Sequence, residues 1–197
     1  MAIDAFLQFT KPGKAIKIVG ETQDRTFQKP PGGGDACFEL QNWSFGTSND
    51  ASISSATMGA GSGKAKFDPF SITKAIDTAT PFLFRTLCTG GHYDLLTLWI
   101  RKTGSDTQDA TAAAKSTGTW YLEWQFAMAF VQEVTWSHND PAPTEDVKFV
   151  YGAIRFTYRQ QQSTGVLGAD RIQQWSQVLN ADPGNWPPPA AELVAPE

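Results

Sequence analysis

Two cysteines, two histidines and a charged fraction of only 18% leave this 197-residue chain short of the side chains that most often carry chemistry. Cys37 and Cys88 are the whole thiol complement, and both read as buried, reduced core residues rather than a disulfide. His92 and His138 fall in what read as turns, far from any cysteine or paired acid, so no metal-ligand spacing exists. Lys and Arg are nowhere clustered and the net charge is -4, which excludes a nucleic-acid partner needing a basic face. No apolar run approaches the roughly 20 residues of a spanning helix, so no membrane insertion is expected. The opening MAIDAFLQFT lacks a basic n-region and carries Asp4 inside its apolar stretch. It does not read as a signal peptide, and the chain is expected to stay in the cytosol unless a dedicated machine exports it.

Catalytic patterns are equally scarce. No Ser or Cys stands in a hydrolase-type elbow. Glu133 and Glu145 read as solvated strand ends rather than an acid pair. The run GAGSGK at 59 to 64 has the glycines of a phosphate loop, but a strand follows it where a phosphate loop requires a helix. The expectation is a protein that is not an enzyme and holds no cofactor and no metal.

What the chain does have is aromatic residues, 12% of the total with thirteen Phe and seven Trp, which against so little charge points to a β-rich protein with much buried surface. Ile3, Ala5, Leu7 and Phe9 alternate with polar residues as a first strand. Ile16 and Ile18 are expected to start a second, before the loop KPPGGGD. Phe38 and Leu40 continue, and the apolar phase then slips to Trp43 and Phe45, the mark of a β-bulge. Ala65 and Phe67 alternate until Pro69, where the phase slips again to Phe70 and Ile72. Leu96, Leu98 and Ile100 face one way and Leu95 and Trp99 the other, so this strand is covered on both sides. The strongest period-two pattern is Trp120, Leu122, Trp124, Phe126, Met128 and Phe130, extended in parity by Val134 and Trp136. Val147, Phe149 and Tyr151 alternate until Gly152, beyond which Ile154, Phe156 and Tyr158 carry the apolar set, so this last core strand reads as bulged at its middle.

Between the strands lies one short helix. Thr80 offers a side-chain cap, Pro81 suits the first turn, Gly90 suits a left-handed stop, and Leu83, Leu87 and Cys88 are expected to dock. The stretch from Gly46 to Gly63 is too long for an idle connection and reads as an extended arm. Residues 104 to 119 read as an exposed insert, and 163 to 197 as an extension in which Ile172, Trp175 and Leu179 share the face of a candidate helix ahead of a proline-rich tail. The fold class is all-β, a closed or nearly closed barrel of about seven or more strands with one short α-helix, occupying residues 1 to 162.

The order of FELQNWSFGTSN at 38 to 49, the glycine loop, TKAIDTATPFLF at 73 to 84 and EDVKFVYGAIRFTYRQQ at 145 to 161 resembles the Hcp family, the tube protein of bacterial type VI secretion. The resemblance implies a chain whose main partner is itself, as a homohexameric ring that stacks into a hollow tube. It further implies sheath, spike and baseplate partners, small effectors in the lumen, and secretion without a signal peptide. Within the arm, Ser48, Asn49, Ile53 and Ser54 are the candidate ring-stacking contacts, with Gly59, Gly61 and Gly63 shaping its return. A tail-tube subunit of a phage or extracellular contractile particle shares this logic. A monomeric β-sandwich binding glycans is the reading from another class; it needs exposed tryptophans, and Trp120 and Trp124 have core parity, leaving Trp175 and Trp186.

Overall fold

The structure is a computed structural model that describes residues 3–10, 15–50, 64–102, 120–139, 142–161 and 167–188. Strands β1 (Ile3–Thr10), β2 (Phe38–Glu39), β3 (Asn42–Ser44), β6 (Phe70–Ala75), β7 (His92–Lys102), β8 (Trp120–Asn139) and β9 (Ala142–Gln161) form one antiparallel path in the order β2-β1-β7-β8-β9-β6-β3, with β10 (Leu167–Ser176) added to β9. The remaining two, β4 (Thr47–Asn49) and β5 (Ala65–Phe67), make a separate two-stranded sheet. The expected all-β architecture with one short helix, α1 (Thr80–Thr89), is what the chain adopts.

Curling of the sheet follows from its two ends. They are β2 and β3, which only Leu40 and Gln41 separate in the chain. The Leu40 amide donates to Ala5 O of β1 at 3.0 Å and the Gln41 amide to Thr73 O of β6 at 2.9 Å. Consecutive residues therefore bond opposite edges, which covers edges that would otherwise stand unpaired. The phase slip between Leu40 and Trp43, expected as a bulge, is this crossing. The slip at Pro69 is a bulge as expected: Phe45 and Gly46 face Asp68, Pro69 and Phe70 between the paired ends of β3/β6 and β4/β5.

Three other expectations are corrected. Residues 15–24 form no strand; Ile18 is buried, while the Gly20 and Thr22 amides bond Ala36 O and Cys37 O outside any ladder. The apolar change at Gly152 is not an inserted residue, because the β8/β9 register is the same on both sides of it. Met128, opposite Gly152, has φ 53°, and at that rung the core-facing parity of both strands switches together. Phe126 and Ile154 face the core on one side of it, Ala129 and Tyr151 on the other. The register does shift in β8 between Val131 and Glu133, and again between β7 and β8 at Ile100/Arg101, which turns Trp120 away from Leu122 and onto the opposite layer. Finally, 167 to 176 is β10 and not a helix. The 153 to 159 half of β9 has β8 on one side, and β6 covers only 144 to 149 on the other, so an open edge awaits a strand.

The main core is aromatic: Phe70 stacks on Phe126 at 4.2 Å, and Phe9, Phe38, Phe45, Phe149 and Tyr151 complete it. Each fully buried ring is worth roughly 1.5–3 kcal/mol over exposure. A second layer of Phe6, Phe27, Cys37, Trp99 and Trp120 lies on the other face of β1 and β7, under the loop around Phe27. This is the two-sided cover expected for β7. Arg101 pins that loop by pairing with Asp24 at 2.6 Å and Asp4 at 3.1 Å.

The helix starts differently from expectation. Ala79 is the N-cap residue and makes no side-chain cap, Pro81 sits in the first turn, and Gly90 closes the helix at φ 64° as expected. Leu83 is buried and Leu87 half-buried, but Cys88 is exposed; it lies on the far side of the helix, so only Cys37 is a core thiol.

Candidate functional site

The described ends of the Gly/Ser-rich stretch, read from the sequence as an arm, pair as the two-stranded β4/β5 sheet. Thr47 pairs with Phe67, Ser48 with Lys66 and Asn49 with Ala65, and all three β4 residues are exposed. Lys66 and Asp50 form an ion pair just beyond. The hairpin is rooted in the barrel by Phe67, which meets the Tyr151 ring edge-on, and by Tyr151 Oη donating to Asp68 O at 3.3 Å. Of the candidate stacking residues, Ser48 and Asn49 thus lie on the exposed strand. Ile53, Ser54, Gly59, Gly61 and Gly63 lie outside the described residues.

Behind the helix sits a cluster around Glu145, which the sequence reading placed in solvent. Glu145 is fully buried and Lys74 is 1% exposed. Lys74 Nζ bonds Glu145 Oε1 at 2.6 Å, Asp77 Oδ1 at 2.7 Å and Ala75 O at 3.1 Å. The Thr80 hydroxyl, expected as a helix cap, donates instead to Glu145 Oε1 at 2.6 Å, and Asp77 Oδ1 accepts the Ala79 amide at 2.9 Å. The T-K-x-x-D-x-x-T-P spacing therefore ties β6, the turn, the first residue of α1 and β9 through one charge pair. Glu133, the other acid considered, pairs on the surface with Lys148 at 2.9 Å, so the two carboxylates serve separate lysines.

Two surfaces frame this scaffold. On the helix side, Phe82, Phe84 and Trp136 are 43%, 49% and 46% exposed, and the Phe84 and Trp136 rings lie 5.9 Å apart. They adjoin the outer part of β8, whose residues beyond Phe130 have no β7 partner. This patch was not anticipated, because parity assigned Trp136 to the core; Val134 of the same parity packs there, but Trp136 lies further out along β8, beside Phe84 of the helix. On the other side, β7, β8, β9 and β10 carry a trough of about 380 Å³ lined by Thr97, Trp99, Glu123, Arg155, Arg159 and Asp170 among others. Burial raises the Glu123 carboxyl above its usual range, opposed by a 2.7 Å hydrogen bond from Trp99 Nε1 and by the charges of Arg155 and Arg159. Arg159 pairs with Asp170 at 2.6 Å and lies over the Trp120 ring at 3.8 Å.

Among the described residues no group of three His, Cys, Asp or Glu is placed to hold a metal. His92 opens β7 and His138 lies on β8, rather than in turns. Trp120 is buried as expected and Trp175 is 37% exposed, whereas Trp186 is packed against the sheet.

A family model described as "Type VI secretion system effector, Hcp" matches residues 6–158. The chain belongs to the Hcp family. The model spans the arm, the Lys74 cluster and both long strands, and this family supplies the structural, secreted tube subunit of type VI secretion. Solved Hcp structures share the fold. One described as a type six secretion system protein superimposes with a TM-score of 0.72 at 21% identity, covering 91% of this chain and 98% of that one. Hcp1 from Salmonella typhimurium gives a TM-score of 0.64 at 22% identity over 92% of this chain and 99% of its own. Hcp1 from E. coli EAEC 042 gives 0.61 at 17% identity over 89% and 97%. No curated protein matches the chain.

Proposed function

We propose that this Hcp subunit assembles into hexameric rings which stack into the hollow inner tube of a type VI apparatus, is driven with it into a target cell, and carries small effectors in the lumen. The observation that supports this best is the arm: a hairpin separate from the barrel sheet, exposed along β4 and rooted by Tyr151, in a chain matched to the Hcp model across that region. A strand with exposed polar side chains that leaves the body of its own subunit suits contact with the next ring. Ser48 and Asn49 on β4, with Ile53, Ser54, Gly59, Gly61 and Gly63 of the stretch that follows in sequence, are the residues proposed for that contact. The ring contact is head-to-tail and closes by rotation. The exposed Phe82, Phe84 and Trp136 are of the kind that assembly would cover.

Function then follows from assembly without an active site. Sheath, spike and baseplate proteins are the heterologous partners, and the subunit waits in the cytoplasm before export without a signal peptide. Repetition of one subunit around a lumen multiplies weak cargo contacts into avidity. Negative-stain electron microscopy across a concentration series tests the reading. Six-fold rings are expected, stacking at high concentration. Replacement of residues 50–64 by a short Gly-Ser turn is expected to leave rings and abolish stacks. Uniform monomers at every concentration would overturn the tube, and stacks that survive the arm replacement would overturn the role of the arm.

A further inference from the structure

Five aromatic rings from separate parts of the chain line a cleft of about 570 Å³ on the inner side of the curled sheet. Trp124 of β8 and Phe156 of β9 are cross-strand partners, and their rings stack at 4.0 Å. Trp43 of β3 and Phe45 just after it stack at 5.9 Å, and the Phe45 ring meets Trp124 edge-on at 4.7 Å. These four rings are half-buried, so part of each faces the opening. The fifth, Trp175, pairs with Ile154 along β10. It is 37% exposed and, among the described residues, stacks on no other aromatic ring.

The polar part of the lining is as distinctive as the apolar part. No charged side chain lines this cleft among the described residues, whereas four line the 380 Å³ trough. An anion or a cation bound here would find no counter-charge. What the cleft offers is one hydroxyl and two amides, from Thr47, Gln173 and Gln174. Thr47 and Gln173 are exposed, and Gln174 Nε2 donates to Asp182 Oδ1 at 2.8 Å, which leaves the Gln174 amide oxygen as an acceptor. Hydroxyls and amides both donate and accept. The volume and the pattern of aromatic walls with a few polar groups are those of a small-molecule site.

We propose that this cleft binds a neutral saccharide of one or two β-linked, gluco-configured pyranose rings. A pyranose with all substituents equatorial has two flat C–H faces and a rim of hydroxyls that donate and accept. The faces fit against indole and phenyl planes, whose negative π surfaces attract C–H groups. The rim answers Thr47, Gln173 and Gln174. Trp175, with no ring upon it, is the platform that such a face covers. An organic cation would use the rings but find no carboxylate, and a flat hydrocarbon would leave the amides to water. The inference does not rest on tube assembly, because the whole lining comes from one chain.

Titration of the full-length protein with cellobiose and with N,N′-diacetylchitobiose, read by calorimetry and tryptophan fluorescence, tests it. Saturable binding of at least one disaccharide is expected, with none for the open-chain polyol sorbitol, which has the hydroxyls without the ring faces. Trp175→Ala is expected to weaken binding about tenfold, as loss of one ring contact does, and Trp175→Phe to keep most of the affinity. Gln173→Ala, at an exposed position where folding is not at stake, is expected to weaken it about threefold to tenfold. Trp136→Ala, on the helix side, should leave it unchanged. No saturation by either disaccharide up to about 10 mM overturns the proposal. So does binding indifferent to both Trp175→Ala and Gln173→Ala, or tighter binding of choline or phenol than of the disaccharides. An affinity that falls as protein concentration rises also overturns it, assigning the cleft to a neighbouring copy.

Discussion

Removing the Lys74 ammonium gives a direct measure of what holds the helix to the barrel. Lys74→Met keeps most of the stem's volume but deletes three hydrogen bonds, to Glu145, Asp77 and Ala75 O. Among the described residues it leaves the Glu145 carboxylate fully buried with only the Thr80 hydroxyl at 2.6 Å, and with Oε2 already unbonded. Breaking one side of a buried pair costs about 3–5 kcal/mol, because the remaining charge is uncompensated. For a domain of this length each kcal/mol corresponds to roughly 2–4 °C in Tm, so the expected drop is roughly 6–20 °C. Removing both partners in Lys74→Met/Glu145→Leu is expected to cost less than the sum of the single changes, with a coupling of about 1–3 kcal/mol. Urea titration of the four members of this cycle, followed by tryptophan fluorescence, measures the coupling. A Lys74→Met variant within about 0.5 kcal/mol of the parent, or a cycle that is strictly additive, would refute the claim that the pair is a buried structural unit.

Three further outcomes follow from other contacts. Burial tends to raise the Asp24 carboxyl, but the Arg101 guanidinium and the Phe27 and Thr26 amides outweigh it and hold it below the usual aspartate range. A depressed folded-state value means stability present above the ordinary range and lost as pH falls through the folded value, so Asp24→Asn should destabilise at pH 7 and match the parent in acid; urea midpoints that differ equally at both ends would contradict this. A methyl group at Gly20 would lie 2.0 Å from Cys37 O, a backbone atom that cannot swing away, so Gly20→Ala is expected to lower stability by about 1–3 kcal/mol in thermal melts. An unchanged Tm would count against the packing of that segment. Thiol titration should find Cys88 reactive in the native protein and Cys37, whose thiol is pushed up by burial and by the Asp24 charge, reactive only after unfolding; two fast thiols would contradict the second layer.

Local chemistry made much of this molecule legible in advance. Alternation in 3 to 10 and 120 to 126, and an apolar run on both faces in 92 to 102, marked strands because a pleat sends successive side chains to opposite faces, and the Pro81/Gly90 punctuation bounded the helix because those residues suit its first turn and its left-handed end. The same holds for the bulge at Pro69. Alternation says which residues share a face but not which strand lies alongside, and everything missed belongs to that second question. Leu40 and Gln41 bond opposite ends of the sheet because the barrel closes there, which no feature of residues 38 to 45 distinguishes from a bulge. The parity switch at Met128 needs Gly152 opposite it, across a pairing of distant residues. Glu145 reads as an exposed strand end until Lys74, Asp77 and Thr80 arrive from another strand and a helix to enclose it. Ile172 and Trp175 have helical spacing, yet the open half of β9 made them a strand, since a sheet edge offers ten residues hydrogen bonds that a short isolated helix would have to supply alone. Sequence determined the local elements of this Hcp chain; tertiary pairing decided which faces became core, trough and exposed surface.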